Sequence, residues 1–169
     1  NWDSALANPA TEPGLEANWQ ASKTTGTVED AAGGAGLSLL GGLNASDIRS
    51  PGVAGDDTLH GGAGADLLVG GAGVDTAIYA DSNAGVIINR MSGTTVGGHA
   101  NGDVLISIEN VIGSNGSDSL VGDGATNILY GMDGDDILRG GGNDDTLQGG
   151  TGNDVLKGGV GDDVLQTHG

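Results

Sequence analysis

Gly61-Gly62-Ala63-Gly64-Ala65-Asp66-Leu67-Leu68-Val69 runs directly into Gly70-Gly71-Ala72-Gly73-Val74-Asp75, and this nine-residue pattern decides the fold. It has the form G-G-x-G-x-D-x-U-x, with U a large aliphatic residue. Residues 52–60 fit it more loosely: Gly52, Gly55, Asp57 and Leu59 hold their places, while Val53 stands at the second glycine position. A second block runs without a gap from 113 to 166, its six nonapeptides beginning at Gly113, Gly122, Gly131, Gly140, Gly149 and Gly158. Their sixth positions are Asp118, Asn127, Asp136, Asp145, Asp154 and Asp163; their eighth are Leu120, Leu129, Leu138, Leu147, Leu156 and Leu165. Such strict spacing marks an array of like units, each of which buries its apolar side chain only against its neighbours.

The first six positions of the repeat predict a turn, because glycine reaches positive φ without a Cβ clash. The last three, such as Thr146-Leu147-Gln148, predict a short strand whose alternation sends the leucine inward and its neighbours out. Two nonapeptides then make one coil, with a strand on each side and a turn at each end. The core is a thin ladder of leucines, too narrow to hold the turns in place by burial alone. An additional staple is required there.

The turns also carry the charge. Carboxylates on one edge recur once per coil, and neighbouring coils lie about 4.8 Å apart. Two unit charges at that spacing repel by roughly 3 kcal/mol at an effective dielectric of ~20. A hard divalent cation between successive turns, held by carboxylates and backbone carbonyls, removes the repulsion. Calcium suits such turns because it accepts six to eight oxygens in flexible geometry, whereas magnesium demands a tight octahedron. The chain has no cysteine, and His60, His99 and His168 show no ligand spacing, which points away from transition metals.

Composition agrees with this reading. Glycine occurs 36 times in 169 residues, phenylalanine is absent, and the formal charge is −18 from 23 acids against 5 bases. High charge and abundant glycine by themselves fit a disordered chain; the order of the residues overturns that. The acidity excludes a general affinity for nucleic acid or anionic membranes, and no apolar run is long enough for a membrane span. The chain begins at Asn1 rather than Met and shows no secretory signal, so it reads as a piece of a longer protein.

The repeats resemble those of the RTX (repeats-in-toxin) family, also called hemolysin-type calcium-binding repeats, closely over 52–78 and 113–166. The resemblance implies an all-β, right-handed parallel β-roll with several calcium ions between turns. It further implies a bacterial protein, secreted or on the cell surface, exported by a type I secretion machinery and folding where calcium is plentiful. Carried over position by position, the ligands are Asp118, Asp136 and Asp154 on one edge and Asn127, Asp145 and Asp163 on the other. In the first block Asp57 and Asp75 share an edge and Asp66 faces the opposite one. Asn127 loses a charge and Ala125 replaces a glycine in the same repeat, so the site shared with Asp145 is expected to be weaker. Asn143 also replaces a glycine, in a residue type that tolerates positive φ.

Outside the repeats the organisation changes. Residues 51–169 are read as the roll domain, with 79–112 as a strand insert. In it Gly85-Val86-Ile87-Ile88-Asn89 and Asp103-Val104-Leu105-Ile106-Ser107-Ile108 predict strands, with turns around Ser92-Gly93 and Gly97-Gly98. The insert is expected to continue the roll as a larger, irregular coil, with Asp81, Asp103 and Glu109 either completing boundary sites or lying in solvated turns. Residues 1–50 carry Trp2, Trp19, Pro9 and Pro13 and read as a linker or the end of a preceding domain, with a short helix from Thr11. Asn44-Ala45-Ser46 and Asn115-Gly116-Ser117 match a glycosylation acceptor by chance.

No catalytic motif is present, and paired acids such as Asp135-Asp136 recur once per turn, which argues for ligation and solvation rather than glycoside chemistry. The expected role is therefore a non-catalytic calcium-binding module. Its parent could be a secreted protease, lipase or alginate epimerase, or the roll could be a repeat of an adhesin or surface-layer protein. An ice-binding surface would need a row of threonines, and Thr151 alone has the right turn position.

Overall fold

The structure is a computed structural model that describes residues 54–167. The helix expected from Thr11 lies outside the described residues, as does His168. Thirteen strands follow one another: β1 (Thr58–Leu59), β2 (Leu67–Val69), β3 (Thr76–Ile78), β4 (Ile87–Asn89), β5 (Thr94–Val96), β6 (Val104–Ile106), β7 (Asn110–Ile112), β8 (Ser119–Val121), β9 (Ile128–Asp133), β10 (Ile137–Gly142), β11 (Thr146–Thr151), β12 (Val155–Val160) and β13 (Val164–Gln166). A single 3-10 turn, Gly98–Ala100, interrupts them among the described residues.

Outside the run β4 to β6, successive strands alternate between a six-stranded sheet and the strands opposite it. One side is a six-stranded parallel sheet in the order β1-β3-β7-β9-β11-β13. The other carries β12-β10-β8-β4-β5 and the pair β2-β6. Register places each inward residue on its equivalent one coil away: Leu59 on Ala77, Ala77 on Val111, Val111 on Leu129, Leu129 on Leu147, Leu147 on Leu165. The opposite ladder runs Ile88, Leu120, Leu138, Leu156. These inward side chains are buried as far as Leu147, whereas Leu165, in the last described coil, is 45 % exposed. The chain is an all-β parallel β-roll.

Two details differ from expectation. The strands β9 to β12 are six residues long, because pairing continues into the turn: Gly150 aligns with Met132, Thr151 with Asp133, Gly141 with Gly159. Residues 79–112 contribute a hairpin, since β5 pairs antiparallel with β4, in the stretch Thr94-Thr95-Val96 that lies between the two expected turns and has no strand assigned to it from the sequence. The hairpin is tied to the roll because β4 pairs in parallel with β8, and β7 enters the six-stranded sheet between β3 and β9.

Candidate metal centre

Each repeat places its sixth residue just before a strand, with its carboxylate turned into the edge of the roll. Asp57, Asp66, Asp75, Asp118, Asn127, Asp136 and Asp145 are buried, while Asp154 and Asp163 are half-buried. The strand order divides them as the spacing predicts. Asp57, Asp75, Asn127, Asp145 and Asp163 precede strands of the six-stranded sheet, and Asp66, Asp118, Asp136 and Asp154 precede strands of the opposite side.

One oxygen of each carboxylate reaches back one coil. The Oδ1 of Asp75 accepts the N–H of Asp57 at 2.8 Å, that of Asp136 the N–H of Asp118 at 2.7 Å, and that of Asp145 the N–H of Asn127 at 2.8 Å. Asp154 and Asp163 accept from Asp136 and Asp145 at 3.0 Å. The insert supplies the same contact to the first block: Asp103 Oδ1 accepts the N–H of Asp66, and Glu109 Oε2 that of Asp75, both at 2.8 Å. Asp81 instead faces two histidines, 2.5 Å from His60 Nε2 and 3.3 Å from His99 Nδ1. Asp103 and Glu109 thus join the first block to the insert, in line with one of the two readings of the boundary acids, whereas neither reading includes the histidine partners of Asp81. The neighbouring fifth-position acids reach forward, with Asp135 and Asp144 each accepting an N–H one coil later, from Asn153 and Asp162. The acid pairs therefore staple both neighbouring coils.

The second oxygen is where the turns separate into two kinds. In the regular turns the Oδ2 atoms of Asp75, Asp136, Asp145 and Asp154 are buried and have no hydrogen-bond partner. Each regular turn holds its second residue at positive φ: Gly71 at 109°, Met132 at 85°, Gly141 at 123°, Gly150 at 102°. The first glycine of the repeat is required for a different reason, since a Cβ on Gly131 would collide with Asp136 Oδ2 and with the carbonyl oxygen of Gly149. At Gly131 a carboxylate oxygen and a carbonyl oxygen of the next coil thus approach the same point.

Burial of these carboxylates raises their proton affinity. For Asp136, burial and the like charges of Asp118, Asp154 and Asp135 outweigh the N–H of Asp118 and push the pKa up to about 6. Asp75 and Asp145 move in the same direction, again chiefly by burial. A buried anionic oxygen without a donor carries a large desolvation cost. A divalent cation among such oxygens would remove that cost. Among the described residues no three acid or histidine side chains form a cage by themselves, so an ion here must take backbone carbonyls as well, as calcium readily does.

Two turns are closed by the chain itself. Where Ser114 replaces the second glycine, its N–H donates to Asp118 Oδ2 at 2.6 Å and its hydroxyl to Asp118 Oδ1 at 2.8 Å; the latter oxygen also accepts the N–H of Val86 at 2.7 Å. In the next repeat the Asp123 N–H donates to Asn127 Oδ1 at 2.8 Å, and Asn127 Nδ2 donates to the Glu109 carbonyl at 2.7 Å. Burial raises the Asp123 carboxyl, but the Ala125 N–H and the Arg90 guanidinium, 3.1 Å away, outweigh it and hold the group below the usual carboxylate range.

No curated protein matches the chain. The family model of the RTX calcium-binding nonapeptide repeat matches it in four copies, over residues 52–77, 112–147 and 139–168. These repeats bind calcium ions, and the oxygen-lined turns fit that ion. The chain belongs to the RTX calcium-binding nonapeptide repeat family.

Proposed function

We propose that this calcium-binding β-roll serves as the non-catalytic folding module of a larger exported protein, ordering when it meets calcium outside the cell. In this reading residues 51–169 form the roll domain and residues 1–50 a linker or the end of a preceding domain. The observation that carries it is the column of buried Oδ2 atoms on Asp75, Asp136, Asp145 and Asp154 that no protein donor satisfies. Calcium sits beside these four and, by equivalence of position in the repeat, beside Asp57, Asp66 and Asp163. Each ion draws on a carboxylate and on the carbonyls of the adjoining coil.

Membership of the family implies export by a type I secretion machinery, and the chemistry of the turns agrees with it. Without calcium the acidic turns of the regular coils repel one another and keep those coils unfolded, which favours passage through a narrow export channel. Outside, sites of extracellular type bind at about 0.1–1 mM. A hundredfold excess of ligand over its Kd adds about 2.7 kcal/mol per site, so a few sites decide whether the regular coils fold.

Circular dichroism of the full chain tests this. In chelator the β signal of the regular coils should be lost; millimolar calcium should restore it, and magnesium at the same concentration should not. A full β spectrum in excess chelator would overturn the proposal.

A further inference from the structure

The regular coils depend on an ion for their turns, but the middle of the chain does not share that need. Three observations set residues 79–130 apart. Their turns are sealed, since every side-chain oxygen of Asp118 and Asn127 already accepts a protein donor. Their core is denser: eight of the thirteen buried apolar side chains fall between Tyr79 and Leu129, against two, Leu138 and Leu147, after residue 130. Their charge is lower, with five acids and Arg90 in this stretch, whereas residues 131–167 place eight acids beside Arg139 and Lys157 in a shorter length.

Several polar groups of the stretch also pair with one another, although Arg90 Nη1 and His99 Nδ1 are buried without a hydrogen-bond partner. Tyr79 donates to Asp103 Oδ2 at 2.9 Å, Arg90 to Asp123 Oδ2 at 3.1 Å, and the N–H of Ile128 to Asn110 Oδ1 at 2.9 Å. These contacts span both sides of the coil and cross the hairpin. Nothing among them calls for a cation.

From these features we infer that residues 79–130 form a calcium-independent kernel, on which calcium assembles the regular coils in both directions. The inference rests on the reading of the regular turns as calcium sites and adds an order to their filling. The kernel offers a finished strand edge on each side: β7 to β3 toward the first block, and β8 and β9 to β10 and β11 toward the second. In a repeat array, energies are close to nearest-neighbour sums. A preformed neighbour therefore favours the site beside it, and calcium should be taken up first at Asp75, Asp136 and Asp145 and later at Asp154 and Asp163.

Amide hydrogen exchange on the full chain, read segment by segment in chelator and in calcium, tests this. In chelator, residues 86–130 should be protected at least about tenfold more than 131–166, as local stabilities in one chain commonly differ; calcium should then bring the second group up to the first. If both segments exchange freely in chelator and gain protection together, the kernel is wrong while the calcium-bound roll stands. If both are protected in chelator, the calcium reading of the regular turns falls as well. A second variant keeps the outcome specific. Ser114→Gly, which restores the repeat pattern at the sealed turn, should reduce protection of 114–121 in chelator and make it respond to calcium. Unchanged protection there would contradict the role given to Ser114.

Discussion

The turn at 131–136 and the turn at 113–118 begin with the same glycine, end with the same aspartate, lie one coil apart on the same edge, and treat that aspartate in opposite ways. In the first, Met132 has a positive φ and Asp136 Oδ2 has no donor. In the second, the Ser114 N–H enters the turn and takes the equivalent oxygen of Asp118. The second residue of the repeat thus separates a turn that leaves a carboxylate oxygen without a donor from one that supplies its own. A repeat array can place its metal demand where it wants it without leaving its nine-residue period.

The largest expected effect comes from deleting a carboxylate on each side of that comparison. Asp136→Ala and Asp145→Ala should each raise the calcium midpoint of the β signal by about tenfold or more, equivalent to roughly 1.4 kcal/mol. Asp163→Ala should raise it less, because Asp163 meets a coil on one described side only. Asp118→Ala should leave the midpoint of the regular coils nearly unchanged and instead cost about 1–3 kcal/mol in chelator, where donors on Ser114 and Val86 lose their acceptor.

Asn127→Asp sharpens the comparison on the opposite edge. The substitution removes the Nδ2 donor to the Glu109 carbonyl and adds a buried charge, so the chelator form should lose about 1–3 kcal/mol. Added calcium should recover part of that loss. Urea titrations with and without calcium measure both quantities.

Acidity acts on both kinds of turn through their buried aspartates, since burial raises Asp118 in the sealed turn as it raises Asp136. An unfolded aspartate titrates near 3.9, and Asp136 in the fold near 6. Between about pH 4 and 6 the folded state therefore binds more protons than the unfolded one, and the calcium-free roll loses stability as pH rises through that window. Protons and calcium compete for the same oxygens, so the calcium midpoint should rise as pH falls through about 6. Asp123, held below the usual range, contributes in the reverse sense and only in stronger acid. Calcium titrations at several pH values follow both trends.

The smallest effect concerns backbone strain. Met132 holds φ at 85°, a conformation that costs a non-glycine residue about 1–2 kcal/mol. Met132→Gly should stabilise the calcium-loaded roll by about 1 kcal/mol, read by thermal unfolding, and should leave the sealed turn at Asp118 unaffected.

The roll was legible in the sequence because period, glycine positions and inward leucines state the same geometry several times over. The insert was less so: the β4 strand is written in Val86-Ile87-Ile88, but β5 is three residues between glycines and forms only because β4 is there to pair with it. Asn127 and Ala125 announced an altered turn, whereas Ser114 did not stand out. A second-position residue other than glycine was the available signal, yet Met132 carries the same mark and keeps the regular turn. Side-chain chemistry decides between them: serine and aspartate can hydrogen-bond within a tight turn and methionine cannot. Asp81 and the histidines were beyond reach, since only the folded chain brings them together.

The most direct test of the two-turn account is an anomalous difference map from crystals of the calcium-loaded chain. Calcium peaks should lie beside Asp136, Asp145 and Asp154, between the carboxylate and the carbonyls of the adjoining coil, and none should lie at the turns closed by Ser114 and Asp123. Peaks of equal height at Asp118 and Asn127, or no peak at Asp136, would contradict it.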